Sequence, residues 1–132
     1  MKLAIINSVR TNNFHDDKMM QKIIELWKGA SSQLTEHEGI RYGVYHEYAD
    51  NYKGDYSLSV CVEGNVEPSM EISNSDKYEI FPVDTADEQG IIKAWKKIWQ
   101  QEESGIIHRA YSVDFEKYYP NGEIEIHIAV KN

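Results

Sequence analysis

A single cysteine, Cys61, leaves the chain without an internal disulfide framework and fits a reducing compartment. No apolar run is long enough to cross a bilayer. The opening segment MKLAIINSVRTNN has too short an apolar stretch for a secretory signal, so it reads as a first strand and the expected location is the cytoplasm. Clustered positive charge is missing too. The 14 Lys and Arg are scattered, apart from Lys96-Lys97, against 22 Asp and Glu, for a net charge of -8. Tracking phosphates needs basic residues gathered on one face, so direct nucleic-acid binding is not expected. An acidic field attracts cations, although the same charge also serves solubility. The five histidines (15, 37, 46, 108 and 127) have no metal-ligand spacing, and CxxC, HExxH, GxSxG, the phosphate loop and GxGxxG are all lacking. No metal, cofactor or catalytic set is assigned, and Cys61 reads as a buried inert thiol in mid-strand.

What is present is periodicity. The 132 residues suffice for one domain or two fused half-domains with a real core. Residues 2–8 are apolar and β-prone. Residues 16–31 carry Met19, Met20, Ile23, Leu26, Trp27 and Ala30, an apolar stripe at helical spacing, with Asp16 or Asp17 placed to cap it. Residues 40–48 and 55–62 form a Tyr- and Val-rich hairpin around ADNYKG. Residues 63–76 are polar, with Gly, Pro and Ser, and read as a linker. Residues 77–83 predict another strand. Thr85 and Glu88 have capping-box spacing before a second stripe, Ile91, Ile92, Trp95, Ile98 and Trp99. Residues 108–116 and 123–130 form a second hairpin around KYYPNG, where Pro120, Asn121 and Gly122 mark the turn.

The order strand, helix, hairpin thus occurs twice. KLAII at 2–6 parallels KYEIF at 77–81, and five stripe positions, from Met19 and Ile91 to Trp27 and Trp99, repeat at an offset of 72. Glu47 before the first turn parallels Glu116 before the second. The expected fold is α+β: a single domain over 1–132 made of a duplicated β-α-β-β unit with pseudo-twofold symmetry. Its half-repeats are 1–62 and 77–132. Its antiparallel sheet carries two helices, with a ligand cleft between the halves.

Nine tyrosines and three tryptophans supply material for such a cleft. Tyr42, Tyr45, Tyr48, Tyr56, Tyr78 and Tyr111 fall on predicted strands. Each reads either as a half-buried sheet residue or as part of a surface that is partly apolar and partly wet. On strand 108–116, Tyr111, Val113 and Phe115 alternate with Ala110, Ser112, Asp114 and Glu116. The apolar set is expected under the helices, with Glu116 on the opposite side. Glu116 is either a solvated strand-end residue or a carboxylate in an aromatic cleft, its pKa raised by desolvation and its charge met by an organic cation. Trp27 and Trp99 read as core in both halves. Trp95 replaces Ile23 of the first half, which breaks the repeat and suggests a task in lining the cleft. Glu47 and Glu116 would form an acid–base pair only if the fold brings them together.

KYEIFPVD, IIKAWKKIWQQ and YSVDFEKYYPNGEIEIHIAV, in that order, resemble the GyrI-like family. That family includes effector-binding domains of AraC-type and MerR-type multidrug-responsive activators and free-standing gyrase inhibitors. YGVYHEY and its hairpin fit as well, so the resemblance covers nearly the whole chain. It implies a groove between duplicated halves that binds hydrophobic, often cationic compounds. The family's anionic contact, a glutamate in the strand before the last hairpin turn, falls on Glu116 within DFEKY. Stacking aromatics would be Tyr45, Tyr78, Trp95 and Tyr111, with Glu47 as a further acidic candidate. The helix-turn-helix domain of the family's transcription regulators is not expected in this chain, since residue 2 already begins the first predicted strand. The chain also resembles single-domain drug-binding proteins encoded on mobile gene cassettes. The expected role is a non-enzymatic sensor or sequestering protein for small organic molecules. Two alternatives stand beside it. One is a protein-interaction role, as a gyrase inhibitor or a ligand-sensing subunit with a regulatory partner. The other is hydrolysis of reactive cyclopropane-bearing toxins. A homodimer through an exposed sheet edge or the groove is compatible with the residues.

Overall fold

A computed structural model describes residues 1–73 and 75–131. Asn74, inside the expected linker, and Asn132, at the end of the expected second half, lie outside the described residues. The elements in chain order are β1 (Lys2–Thr11), α1 (Met19–Gln33), β2 (Arg41–His46), β3 (Tyr56–Glu63), β4 (Ser69–Glu71), β5 (Lys77–Pro82), α2 (Gly90–Glu103), β6 (Asp114–Tyr118) and β7 (Ile124–Val130). The strands form one antiparallel sheet in the order β4-β1-β3-β2-β6-β7-β5. The protein is α+β, with two β-α-β-β halves joined edge to edge where β2 meets β6. Gly43 faces Glu116 across that join.

The helices pack on the outer strands of each half. Leu26 and Ala30 of α1 bury against Tyr56, Leu58 and Val60 of β3. Ile98 of α2 buries against Phe81, Ile126 and Ile128. The central strands are left uncovered between the helices, so the halves enclose a groove whose floor is β2 and β6. A bulge in β1 between Ile5 and Asn7 lets Leu3 join a separate core on the reverse face, with Tyr42, Val44, Cys61 and Phe115.

Several expectations need correcting. The linker contains β4, which pairs with the edge of β1. Neither helix has the expected cap. Asp16 accepts the Lys18 N–H one turn before α1, and Asp87, rather than Thr85 or Glu88, accepts the Gln89 N–H before α2. The strand expected at 108–116 is only a bridge at Arg109 with Val130, then a break, then β6. Tyr111 within the break has φ 55°. The faces of β6 are the reverse of those expected. Phe115 packs on the far side of the sheet against Tyr42 and Tyr78, while Glu116 faces the groove. The cause is that the helices cover the outer strands and not the centre, so the groove side of β6 has room for a polar residue. Among the described residues no helix is long and apolar enough to cross a membrane.

Candidate functional site

The groove is a cavity of about 720 Å³, within the range of pockets for drug-sized molecules. Strand alternation builds its floor. Gly43 and Tyr45 on β2, with Glu116 and Tyr118 on β6, all project to the helix side. Helix spacing builds its walls: Ile23 and Trp27 line one side from α1, Trp95 and Trp99 the other from α2. Each helix reaches a tyrosine of the other half. Trp27 meets Tyr118 edge-on at 5.0 Å, and Trp95 meets Tyr45 edge-on at 5.0 Å. Phe14, Tyr52 and Trp99 cluster at one rim, with Tyr52 stacked on Trp99 at 5.3 Å.

Glu116 sits at the centre, 3% exposed. Its Oε2 accepts the Trp95 indole N–H at 2.8 Å and the Tyr45 hydroxyl at 3.0 Å, and its Oε1 accepts the Tyr118 hydroxyl at 2.7 Å. Among the described residues no Lys, Arg or His lies within ion-pairing distance of it. Burial raises its pKa, and the three hydrogen bonds pull it back only in part. Burial, then the adjacent carboxylate, holds the Tyr45 and Tyr118 phenols well above the ordinary tyrosine value, so both stay protonated donors.

Gly43 makes room for this arrangement. A Cβ there would lie 3.0 Å from Trp27 Cζ2 and 3.2 Å from Glu116 Oε1. Gly43→Ala is expected to displace the indole or the carboxylate and weaken ligand binding about three- to tenfold. Thermal stability should move by less than about 1 kcal/mol, because removing a strand glycine offsets the crowding. Titration and melting of the same variant separate the two effects.

A second polar cluster closes one end. Asp114, with no exposed surface, accepts the Arg109 guanidinium at 2.8 Å, the Ala129 N–H at 2.7 Å and the Tyr48 hydroxyl. Arg109 is 3% exposed and lies 4.3 Å from the Tyr111 ring centroid. Among the described residues its Nε and Nη1 have no hydrogen-bond partner.

Of the residues singled out from sequence, Glu116, Tyr45 and Trp95 come together here. Tyr78 does not. It lies on the reverse face, its hydroxyl donating to the Val113 carbonyl at 2.8 Å, because Phe81 of the same strand faces α2 and alternation turns Tyr78 the other way. Tyr111 stacks behind Arg109 and donates to Glu102, outside the cavity lining. Glu47 lies beyond the end of β2 at φ 53°, its side chain 69% exposed. The register places Gly43, not Glu47, opposite Glu116, so the two carboxylates do not meet. Trp27 and Trp99, expected in the core, line the cavity. Tyr118 escaped the sequence reading, although it follows Glu116 by two residues and must share its face. The contributions of Phe14, Tyr52 and Arg109 had no sequence signal, since each depends on how a loop or break folds back.

A model of the family described as Cass2, integron-associated effector binding protein, matches residues 3–130. The chain is similar to a solved structure, the integron cassette protein VCH_CASS2 from the mobile metagenome of Vibrio cholerae. The two share 27% identity and a TM-score of 0.77, with 99% of this chain and 90% of that one covered. No curated protein matches the chain.

Proposed function

Because the chain belongs to the Cass2 family of integron-associated effector-binding proteins, we propose that it binds hydrophobic organic cations, with Glu116 as the anionic contact and the tryptophans and tyrosines as walls. The observation that carries this reading is the buried carboxylate with three neutral donors and, among the described residues, no cation within ion-pairing distance. Burying a charge without a counter-charge is costly. A cation in the cavity supplies the missing partner, and the surrounding ring faces add cation–π attraction of about 0.5–2 kcal/mol each. Aromatic walls set few directional demands, which suits a range of bulky ligands.

The role proposed is binding, not turnover, so ligand recovered from the protein should be chemically intact by mass spectrometry. All three tryptophans of the chain line the cavity, and intrinsic fluorescence therefore reports its occupancy. Tetraphenylphosphonium and tetraphenylborate are close in size and opposite in charge. The phosphonium is expected to quench saturably, with an affinity at least about thirtyfold above that of the borate, a difference of roughly 2 kcal/mol. Equal quenching by the two ions would remove the anionic contact from the model. No quenching by either would refute the cavity as a drug site.

A further inference from the structure

Two basic residues of the cavity lining, half-buried Arg41 and exposed Lys96, have no acidic partner among the described residues, and of the two only Arg41 also borders a second cavity. It lies two residues before Gly43 on β2, so it shares the groove face. It lines the main cavity and also a smaller neighbouring one of about 330 Å³, bordered by His37, Glu38, Tyr118 and Tyr119. Tyr118 and Arg41 belong to both linings, so they stand between the two spaces. The Arg41 guanidinium is half-buried and donates through Nη2 to the Leu34 carbonyl at 3.0 Å. Among the described residues it has no carboxylate within ion-pairing distance, although the chain holds 22 acidic residues against 14 basic ones. The other cavity arginine, Arg109, is matched by Asp114. The main cavity is strongly apolar, and the smaller one is bordered largely by polar side chains.

Resting on the proposed binding function, we propose that Arg41 is a second anchor and that the preferred ligand is an apolar zwitterion. Its cationic group lies at Glu116, and an anionic oxygen group, a carboxylate in the simplest case, lies against the Arg41 guanidinium at the entrance to the smaller cavity. Along β2, Arg41 is one two-residue repeat, about 7 Å of backbone, from Gly43, which faces Glu116. The guanidinium suits this task because its planar N–H groups donate to a carboxylate in paired fashion. Exposed Glu38 borders the same small cavity and opposes the anion from the solvent side, where water screens it.

The test uses rhodamine B, a zwitterion at pH 7.5, and its ethyl ester, which keeps the ring cation and loses the carboxylate. The wild-type protein is expected to bind the acid about tenfold more tightly than the ester, as one partly screened charge-assisted contact allows. Arg41→Gln should erase that preference by weakening the acid alone, and Arg41→Lys should keep part of it. Circular dichroism reports whether each variant folds, and the wild-type comparison stands without them. If the ester binds as well as the acid and Arg41→Gln changes neither, the second anchor is refuted while the cationic pocket stands. If neither probe binds, the pocket reading falls and the anchor falls with it.

Discussion

Glu116→Gln should weaken binding of tetraphenylphosphonium by about thirtyfold or more, and should leave binding of tetraphenylborate unchanged or improved. The variant keeps the shape of the side chain and removes its charge. Losing one partner of a buried charge pair costs about 2–5 kcal/mol, which is roughly thirty- to several-thousandfold in affinity. The pH dependence makes the test sharper. Burial raises the Glu116 pKa in the empty protein, against the opposing pull of Trp95, Tyr118 and Tyr45. A bound cation favours the ionised carboxylate, so binding releases a proton while Glu116 is protonated. Affinity for the phosphonium should therefore climb toward tenfold per pH unit below the folded pKa and level off above it. The Gln variant should show a flat profile.

The same shift acts on stability. A carboxyl with a raised folded pKa contributes stability that is fully present below its unfolded pKa and is lost as pH rises through the folded value. The melting temperature of Glu116→Gln relative to the wild type should therefore improve from pH 4 to pH 8. A flat binding profile in the wild type, or full phosphonium binding by the variant, would exclude Glu116 as the contact.

The second large effect is on the fold. Asp114→Asn should cost about 3–5 kcal/mol, because it leaves the Arg109 charge buried with its partner removed. For a chain of this length that is a fall of about 10–25 °C in melting temperature. The cost is large for a definite reason. Among the described residues, Arg109 Nε and Nη1 already lack hydrogen-bond partners, the Tyr111 ring blocks one side, and the nearest other carboxylate oxygen, on Glu102, is 3.9 Å away. The exposed Lys93–Asp87 pair, at 2.6 Å, has better distance but sits in water and should matter far less. Denaturant unfolding monitored by far-ultraviolet circular dichroism measures the loss. A change under about 1 kcal/mol would mean that Asp114 does not compensate a buried charge. Phosphonium binding should fall in the same variant, since Tyr48 loses the acceptor that holds it at the end of the cavity.

The locally coded parts of this molecule were legible in its residues. Helical stripes and alternating runs act over three to ten neighbours, so α1, α2, the first hairpin and β7 follow from spacing, whereas the break at Tyr111 that shortens β6 to Asp114–Tyr118 does not. The DFEKY segment singled out Glu116 because the resemblance pinned one carboxylate to one strand. Tyr45 and Tyr78 looked alike as strand tyrosines. The tertiary structure separates them by position and by face: β2 is at the centre of the sheet with Tyr45 toward the groove, and β5 is at its edge with Tyr78 on the reverse side. Trp27 shows a second limit. An apolar stripe has the same pattern whether it meets a packed core or an open cavity, because both exclude charge.

The chain by itself determined both helices, most of the strands and the α+β class, because periodicity and turn chemistry are local, while the acid on which the proposed function turns came from the family resemblance of DFEKY. Tertiary structure decided which face of β6 meets the helices, that Glu47 stays in solvent, and that Gly43 opposes Glu116 with no side chain between them. It also decided that Arg109 and Asp114 pair from either side of a break in the chain. These depend on sheet order and register, which arise when two halves separated by some seventy residues close on each other, and no local pattern specifies that closure.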